Sequence, residues 1–464
     1  MLSLSFGLMA SLESALQSWQ NAPGFDKQAW LSAHAEAAPV TIRVNAEKNV
    51  QVKQLFPDLI GAKVPWCNNA FQLTERPSFV HHPAWHAGGF YVQEASSMFL
   101  WHVLETLNLP KVGLKVLDLC AAPGGKSTLL ASYFVSSLLV SNEVIKSRNA
   151  ILVENLTKWG GYNTVVVQND PAQIGKLQHF FDCVVVDAPC SGSGLFRKDQ
   201  EALANWTEEQ VFHCQARQKR ILEDIWPSVK PGGYLVYSTC SYSQEENEDM
   251  VDFLLEHENA TSLSIPVPDD WGITVSSSKQ KEGSSYRFWP HKVQGEGFFL
   301  AVIQKRNNKM DYSSSLSTRK IQPIPNKQAI LTNQMVLNTE EMHLFNEANI
   351  IRMIPTSFLE ALEILAAHVY IKKAGVALGE WKGQSWIPHH EYALSGAVLD
   401  NNPRMNLNTH DALQYLMRKD FFVEGLQLGW NSVWHDGLCL GWAKVLPNRI
   451  NNYYPNSWRI LKDI

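Results

Sequence analysis

The seven cysteines of this 464-residue chain are odd in number and form no C-x-x-C pair. Scattered single cysteines argue against a disulfide framework or a cysteine zinc site, and they favour a reducing compartment. No apolar run is long enough to span a bilayer, and residues 1–15 lack the Lys/Arg region of a signal peptide. We therefore expect a cytoplasmic protein without a membrane segment.

The chain also lacks a basic surplus, since its formal net charge is −5. Nucleic-acid-binding proteins more often carry excess positive charge, so a nucleic-acid partner requires that the cationic residues cluster. Candidates for such clusters are Arg197-Lys198, the stretch from Lys305 to Lys320, and the scattered Lys and Arg residues of the C-terminal part.

Metal-ligand spacings are equally scarce. His81, His82 and His86 stand close together, but no Cys or acidic residue accompanies them. Histidines in such a stretch are more often surface or substrate-contact residues than zinc ligands. We expect no metal.

What the chain does have is a strand that runs into a glycine loop. Residues 116–127 read VLDLCAAPGGKS, and helix-forming residues follow. A buried strand, a loop and a helix N-terminus together form the nucleotide-binding corner of a doubly wound sheet. A P-loop would need Gly where Cys120 stands, and the G-x-G-x-x-G spacing of dinucleotide sites is absent. The loop therefore either holds a nucleoside that carries an amino-acid tail or is a structural turn.

From Leu114 to Ile303 the pattern predicts alternating strands and helices, which indicates an α/β fold with a parallel sheet. The second strand ends at Glu143, about where such folds place a ribose-binding carboxylate, although a helix N-terminal Glu is the alternative. The third strand ends at Asp170, which fits a hydrogen bond to an adenine amino group and fits an Asx-turn equally well.

Composition and pattern divide the chain into four parts. We predict an N-terminal extension over 1–95, a catalytic-type α/β domain over 96–305, a basic linker over 306–330 and a separate α+β module over 331–464. The module is rich in tryptophan.

Two cysteines follow predicted buried strands directly. Cys190 lies in DAPCSGSG after the fourth strand, and Cys240 lies in YSTCS after the fifth. Because ligands bind at the carboxyl ends of parallel strands, both thiols should face the site that the glycine loop builds. A thiolate beside a bound cofactor suggests covalent catalysis.

These motifs resemble those of the RNA cytosine-C5 methyltransferases. DAPCSGSG and YSTCS resemble the two cysteine signatures of that family, residues 120–126 (CAAPGGK) its S-adenosylmethionine loop, and residues 91–98 (YVQEASSM) its upstream helix motif. In the C-terminal module, GWAK at 441–444 and NYYP at 452–455 resemble the PUA-like tail of the bacterial branch that methylates small-subunit rRNA.

The resemblance implies a Rossmann-like S-adenosylmethionine-dependent methyltransferase sheet between an N-terminal RNA-binding extension and a PUA-like α+β domain. It implies that Cys240 is the nucleophile that adds to C6 of cytosine, that Cys190 assists its release, and that Asp187 binds the N3 side of the base. It further implies that the cofactor is held by Glu143 at the ribose, by Asp170 at the adenine, and by Asp187 and the loop residues Cys120, Ala121, Ala122, Pro123, Gly124, Gly125 and Lys126.

DNA cytosine methyltransferases take their nucleophile from the Pro-Cys motif, which would be Cys190, but the second cysteine in Ser-Thr-Cys240 favours the RNA type. The implied partner is 16S rRNA in the small ribosomal subunit, with cytosine 1407 as the implied target, and we expect a monomer. The alternative is a non-catalytic RNA-binding or assembly factor that retains the fold. Loss of catalysis usually begins with loss of the cysteines or the loop, and both are intact.

Overall fold

A computed structural model describes residues 6–257, 259–307, 316–333, 341–396, 403–421, 423 and 425–462. Within the predicted basic linker, residues 308–315 lie outside these ranges. The described helices contain no segment that is both long enough and apolar enough to cross a membrane.

The N-terminal part begins with two helices and continues as a small antiparallel sheet in the order β2-β3-β1-β4. Its elements are α1 (Phe6–Ser18), α2 (Lys27–His34), β1 (Val40–Val44), α3 (Val52–Leu55), β2 (Ile60–Lys63), β3 (Ala70–Leu73), α4 (Pro83–His86) and β4 (Phe90–Val92).

The central part alternates strands and helices, as the sequence predicts. Its elements are α5 (Phe99–Leu107), β5 (Val112–Asp118), α6 (Gly125–Tyr133), β6 (Ser136–Asn142), α7 (Lys146–Trp159), β7 (Thr164–Val167), α8 (Pro171–Gly175), β8 (Phe181–Asp187), α9 (Gln200–Asn205), α10 (Glu208–Ile225), β9 (Val229–Thr239), α11 (Glu248–Leu255), β10 (Ala260–Ser262), β11 (Thr274–Ser277), β12 (Ser284–Phe288) and β13 (Phe298–Lys305).

The C-terminal part contains two further four-stranded sheets, β14-β15-β17-β18 and β19-β20-β21-β22. Its elements are α12 (Asn326–Asn333), β14 (Met342–Glu347), β15 (Ile350–Pro355), α13 (Leu359–His368), β16 (Ile371–Ala374), β17 (Val376–Lys382), β18 (Ser385–Pro388), α14 (His390–Leu394), β19 (Arg404–Asn406), α15 (Thr409–Met417), β20 (Gly429–His435), β21 (Leu438–Leu446) and β22 (Arg449–Asn452).

The main sheet has the order β11-β12-β13-β9-β8-β5-β6-β7-β16, and β10 pairs with β13. The five strands from β9 to β7 are parallel, whereas β13 is antiparallel to β9. Apolar side chains such as those of Leu117, Val140, Val184 and Val236 are fully or almost fully buried, as expected for strands that helices cover on both faces. The predicted α/β fold with a parallel sheet is confirmed.

Both flanking parts are joined to this sheet. Strand β16 pairs with β7 at the sheet edge, so a segment of the predicted C-terminal module extends the central sheet. The small N-terminal sheet shares one apolar cluster with the module, in which Ile42 and Phe90 lie with Met405 and Val433. The boundaries we predict from composition remain a prediction, and apolar contacts cross them.

The N-terminal helices pack behind the two cysteine turns. Trp19 and Trp30 lie in one buried aromatic cluster with Phe196, which follows the Cys190 turn, and with Tyr242, which follows the Cys240 turn. The ring centroids of Trp19 and Tyr242 are 4.9 Å apart, and Tyr242 stacks on Trp289 at 4.6 Å. The N-terminal extension therefore supports the back of the candidate site.

Candidate active site

The order of the main sheet reverses at β5. From β5 the chain proceeds outward through β6 and β7, and it then returns to the other side of β5 with β8 and β9. In open α/β sheets the ligand crevice lies outside the carboxyl ends of the strands at such a switch point. The loop after β5 and the turns after β8 and β9 therefore meet at one edge.

The glycine loop has two unusual backbone features. The Ala122–Pro123 peptide is cis, and Gly124 has a φ of +117°, a conformation that L side chains rarely adopt. Helix α6 begins at Gly125, and its first turn leaves main-chain N–H groups without intrahelical partners.

Helix α7 supports this loop from outside. The side-chain amide of Asn155 donates to the Pro123 carbonyl at 2.8 Å, and Arg148 Nη2 donates to the Ala122 carbonyl at 2.7 Å. The loop is therefore fixed through its own carbonyls, and the N–H groups at the start of α6 remain available to an anion.

The last residue of β5 is a buried acid. Asp118 is fully buried, and its Oδ2 accepts a hydrogen bond from the Ser127 hydroxyl at 2.6 Å, whereas its Oδ1 has no partner. Burial raises the pKa of the Asp118 carboxyl to about 7. Burial also raises the pKa of the Cys120 thiol, so Cys120 stays protonated and serves as a loop residue.

Glu143 follows β6 at the same edge, as predicted. Its Oε1 accepts the main-chain N–H of Ile145 at 2.9 Å, and its Oε2 lies 3.3 Å from Arg148 Nη1. Only 4% of its side chain is exposed. Arg148 thus contacts both predicted cofactor elements, the loop at Ala122 and the acid at Glu143, and the sequence analysis had not singled it out.

Asp170 follows β7 and caps the short helix α8. Its Oδ1 accepts the main-chain N–H of Ala172 at 3.1 Å, which is the turn that the sequence analysis held as the alternative. Arg220 Nη1 lies 3.2 Å from the same oxygen. The same Nη1 lies 3.3 Å from Oδ2, but the side chain is about half exposed, so the carboxylate can still accept a further hydrogen bond. Its predicted adenine contact remains a prediction.

Asp187 ends β8 between two partners. Its Oδ1 accepts a hydrogen bond from the Ser238 hydroxyl at 2.8 Å, and its Oδ2 lies 2.8 Å from the ammonium of Lys126. Lys126 is 11% exposed, and its Nζ lies 5.0 Å from the ring centroid of Phe298. The loop lysine and the predicted base-binding acid therefore form one unit, which motif spacing alone did not reveal.

The two predicted catalytic cysteines face each other. The Sγ atoms of Cys190 and Cys240 are 2.9 Å apart, and both residues are partly exposed. The hydrogen-bonding contact with Cys240, together with burial, raises the pKa of the Cys190 thiol well above its usual range. At this distance either thiol can donate its proton to the sulfur of the other.

Two other sequence candidates have structural contacts. Arg197 is only 6% exposed and pairs with the buried carboxylate of Glu296, with 3.1 Å from Nε to Oε2. His82 and His86 direct ring nitrogens at the carbonyls of Leu55 and Val80. The part of the chain that the structure describes contains no group of His, Cys, Asp or Glu residues placed to hold a metal.

The edge has the donors and acceptors that a nucleoside with an amino-acid tail requires. Asp118 Oδ1 is a buried acceptor without a partner, the α6 N-terminus offers N–H groups, and Glu143 stands at the end of β6. S-adenosylmethionine carries an ammonium, a carboxylate and ribose hydroxyls. The residues present therefore fit this cofactor.

Comparison with known proteins agrees with this geometry. Residues 105–304 match the family model described as 16S rRNA methyltransferase RsmB/F. Residues 14–95 match the N-terminal domain of 16S rRNA methyltransferase RsmF, and residues 402–460 match the methyltransferase RsmF PUA domain. The ribosomal RNA small subunit methyltransferase F of Aeromonas salmonicida is 32% identical over 409 residues, which are 85% of this chain and 84% of that protein.

This chain belongs to the RsmF family. A second RsmF relative, from Aliivibrio fischeri strain MJ11, is 31% identical over 435 residues and 90% of both chains. The resemblance inferred from the cysteine motifs and the glycine loop is therefore confirmed, and so is the prediction that the chain is a methyltransferase.

Solved structures place the RsmF fold among methyltransferases. A methyltransferase homologue from Pyrococcus horikoshii is 29% identical, with a TM-score of 0.53 over 65% of this chain and 100% of that one. NSun6 from the same organism, solved with SFG, an S-adenosylmethionine analogue, shares the fold at 18% identity and a TM-score of 0.52, over 64% and 98% of the two chains.

Proposed function

We propose that this protein methylates C5 of one cytosine in 16S rRNA, within the small ribosomal subunit, through a covalent bond between Cys240 and C6 of the base. The observation that carries the proposal is the pair of thiols at the crevice, with sulfurs 2.9 Å apart and Asp187 close by in the chain and at the same sheet edge. By resemblance, the target is cytosine 1407.

The chemistry of cytosine requires such an arrangement. C5 of cytosine is a poor nucleophile until a thiolate adds to C6 and breaks the 5,6 double bond. Asp187 would bind the N3 side of the base and stabilise the charge that develops on addition. Its carboxylate is already oriented by Ser238 and Lys126. The target base must leave its stack to reach this edge.

The division of roles between the thiols follows the resemblance, in which the cysteine of the Ser-Thr-Cys240 motif is the nucleophile. A thiol that keeps its proton is a poor nucleophile but can act as a weak hydrogen-bond donor and as an acid. Cys190 would donate to the sulfur of Cys240, which favours the thiolate before attack. Solvent water would take the C5 proton, the electron pair of the C5–H bond would re-form the 5,6 double bond as the C6–S bond breaks, and Cys190 would protonate the departing sulfur.

S-adenosylmethionine supplies the methyl group when it is bound. We assign residues 120–126 to its methionine part, Glu143 to its ribose and Asp170 to its adenine. The support for this assignment is the position of these residues at the ends of β5, β6 and β7.

The proposal is tested by incubating the protein with S-adenosylmethionine that carries a labelled methyl group and with small subunits that lack the modification. We expect label in 5-methylcytosine at a single position of 16S rRNA, which digestion and mass spectrometry locate. Deproteinised 16S rRNA serves as the second substrate, and the proposal expects the assembled subunit to be the better one. Tight RNA binding without any transfer of label would overturn the proposal and favour the non-catalytic factor.

A further inference from the structure

One buried carboxylate joins the two cysteine turns without touching either sulfur. Glu246 lies in the short turn after β9 and has no exposed surface. Its Oε1 accepts the main-chain N–H of Ser191 at 2.8 Å, and its Oε2 accepts the hydroxyls of Ser191 and Ser241, each at 2.5 Å. Ser191 directly follows Cys190, and Ser241 directly follows Cys240.

Further hydrogen bonds fix the carboxylate itself. The side-chain amide of Gln218, on α10, donates to Glu246 Oε1 at 3.2 Å and to the Pro189 carbonyl at 3.0 Å. The hydroxyl of Tyr237 donates to the main-chain carbonyl of Glu246 at 2.7 Å. Glu246 is therefore held from the helix, from β9 and from both cysteine turns.

A buried carboxylate lowers the stability of the folded protein unless it is fully hydrogen-bonded. Burial raises the pKa of the Glu246 carboxyl, which measures the cost of charge in this environment, and the hydrogen bonds from Ser191 and Ser241 oppose the rise. Apolar residues of matched shape would often be at least as stable at a buried position. Glu246 is hydrogen-bonded to both cysteine turns, to Tyr237 on β9, and to Gln218, which itself contacts Pro189 beside Cys190. The position of Glu246 therefore affects the distance between the two thiols.

We propose that Glu246 is a positioning residue that sets the distance and orientation of Cys190 relative to Cys240, through Ser191 and Ser241. This proposal rests on the two-thiol function above. The step that depends most on this distance is release, because the proton of Cys190 must reach the sulfur of Cys240 as the C6–S bond breaks. Attack by Cys240 on C6 depends on the position of the Cys240 turn and less on its distance from the Cys190 turn.

The test compares Glu246→Gln with the wild type under methyl-transfer conditions. Gln keeps the size of the side chain but replaces one acceptor oxygen with an NH2 group, so the two serine hydroxyls must turn and the turns separate. We expect kcat to fall at least tenfold and the KM for the small subunit to fall with it, because a slowed release step leaves kcat/KM unchanged, while the Kd for S-adenosylmethionine stays within twofold. We also expect a covalent protein–RNA adduct on a denaturing gel, although both cysteines are present.

Two further variants keep the test decisive. Ser241→Ala removes one hydrogen bond to the carboxylate and the acceptor of the Ser243 N–H without burying new charge, and we expect less of the same adduct together with a modestly lower Tm. This variant decides the matter if Glu246→Gln does not fold. The neighbouring Glu245→Ala is the matched control, and it should turn over like the wild type.

The outcomes separate this proposal from the function it rests on. If the wild type methylates cytosine and Cys190→Ala traps an adduct, but neither Glu246→Gln nor Ser241→Ala does, the positioning role is wrong and the two-thiol mechanism stands. If Cys190→Ala traps no adduct, the two-thiol mechanism itself is wrong.

Discussion

The sulfurs of Cys190 and Cys240 lie 2.9 Å apart, although 50 positions separate the two residues in the chain. Their proximity follows from the parallel pairing of β8 and β9, in which Asp187 is the partner of Ser238. Each cysteine lies two or three residues beyond this pair. The main-chain N–H of Gly194 also donates to the Cys240 carbonyl at 2.8 Å, so the two turns are fixed to each other directly.

The contact between Lys126 and Asp187 predicts unequal effects of two substitutions. Asp187→Asn keeps an acceptor for Ser238 but removes the carboxyl that would share a proton with N3 as negative charge develops there, so kcat should fall about 10²–10³-fold. Lys126→Met removes only the cation that orients the carboxylate, and kcat should fall roughly tenfold, with partial recovery in Lys126→Arg. Single-turnover assays measure both. A larger loss in Lys126→Met than in Asp187→Asn would contradict the assignment of Asp187.

Substitutions at Glu143 and Arg148 should change the affinity for S-adenosylmethionine and not that for RNA. Glu143→Ala should raise the Kd for S-adenosylmethionine about tenfold or more, since it removes a buried charged acceptor. Arg148→Met should raise it less, because Arg148 contacts the loop only at the Ala122 carbonyl. Calorimetry measures both constants. Lys146→Met, an exposed cation on the same helix, is the control. Equal affinities in Glu143→Ala and the wild type would remove Glu143 from the ribose site.

Asp118 predicts a dependence of stability on pH. The pKa of its carboxyl is about 7 in the folded protein, above the ordinary 3.8, so the folded state holds this proton more tightly than the unfolded state. The contribution is fully present below pH 3.8 and is lost as the pH rises through 7. Between pH 5 and pH 8 the free energy of unfolding of the wild type should fall relative to Asp118→Asn by about 3 kcal/mol.

Urea unfolding of both proteins at each pH gives this difference without the cofactor. A constant cost of the asparagine side chain cancels, since only the change with pH is compared. Parallel curves for the two proteins would show that Asp118 is ionised throughout.

Replacement of Arg197 should lower the stability of the folded protein and leave its affinity for RNA unchanged. The sequence analysis placed Arg197 among the cations that could contact RNA, but its guanidinium is buried against Glu296. Arg197→Met leaves that carboxylate with Lys198 alone, and the free energy of unfolding should fall by about 3 kcal/mol. The salt dependence of RNA binding should stay unchanged. A shallower salt slope in Arg197→Met would show that the side chain contacts phosphate.

Much of this architecture follows from local sequence. Strands β5 to β9 are predictable because their apolar runs are continuous, and the residues after them are predictable as site residues because parallel strands share one edge. The pairing of β16 with β7 is not predictable from the sequence, because a four-residue strand some 200 positions away carries no local signal for its partner.

Within the site, too, local sequence predicts some residues and misses others. Cys190, Cys240 and the glycine loop stand in compact motifs, whereas Glu246 and Arg148 act through contacts that exist only after folding. The acid-rich stretch at 244–249 is the nearest local signal in the sequence, and acidic residues in that position are typical of a helix start rather than of a site. For Asp170 the sequence left a turn and an adenine contact open, and the fold supplies the turn.

The covalent mechanism is tested most directly by trapping the protein on its RNA. Wild type, Cys240→Ala and Cys190→Ala are each incubated with S-adenosylmethionine and unmodified small subunits, and a denaturing gel then separates free protein from protein crosslinked to RNA. We predict turnover without adduct for the wild type, neither methylation nor adduct for Cys240→Ala, and an accumulated adduct carrying one methyl group for Cys190→Ala. An adduct in Cys240→Ala, with Cys190→Ala inactive, would reverse the two roles and contradict this account.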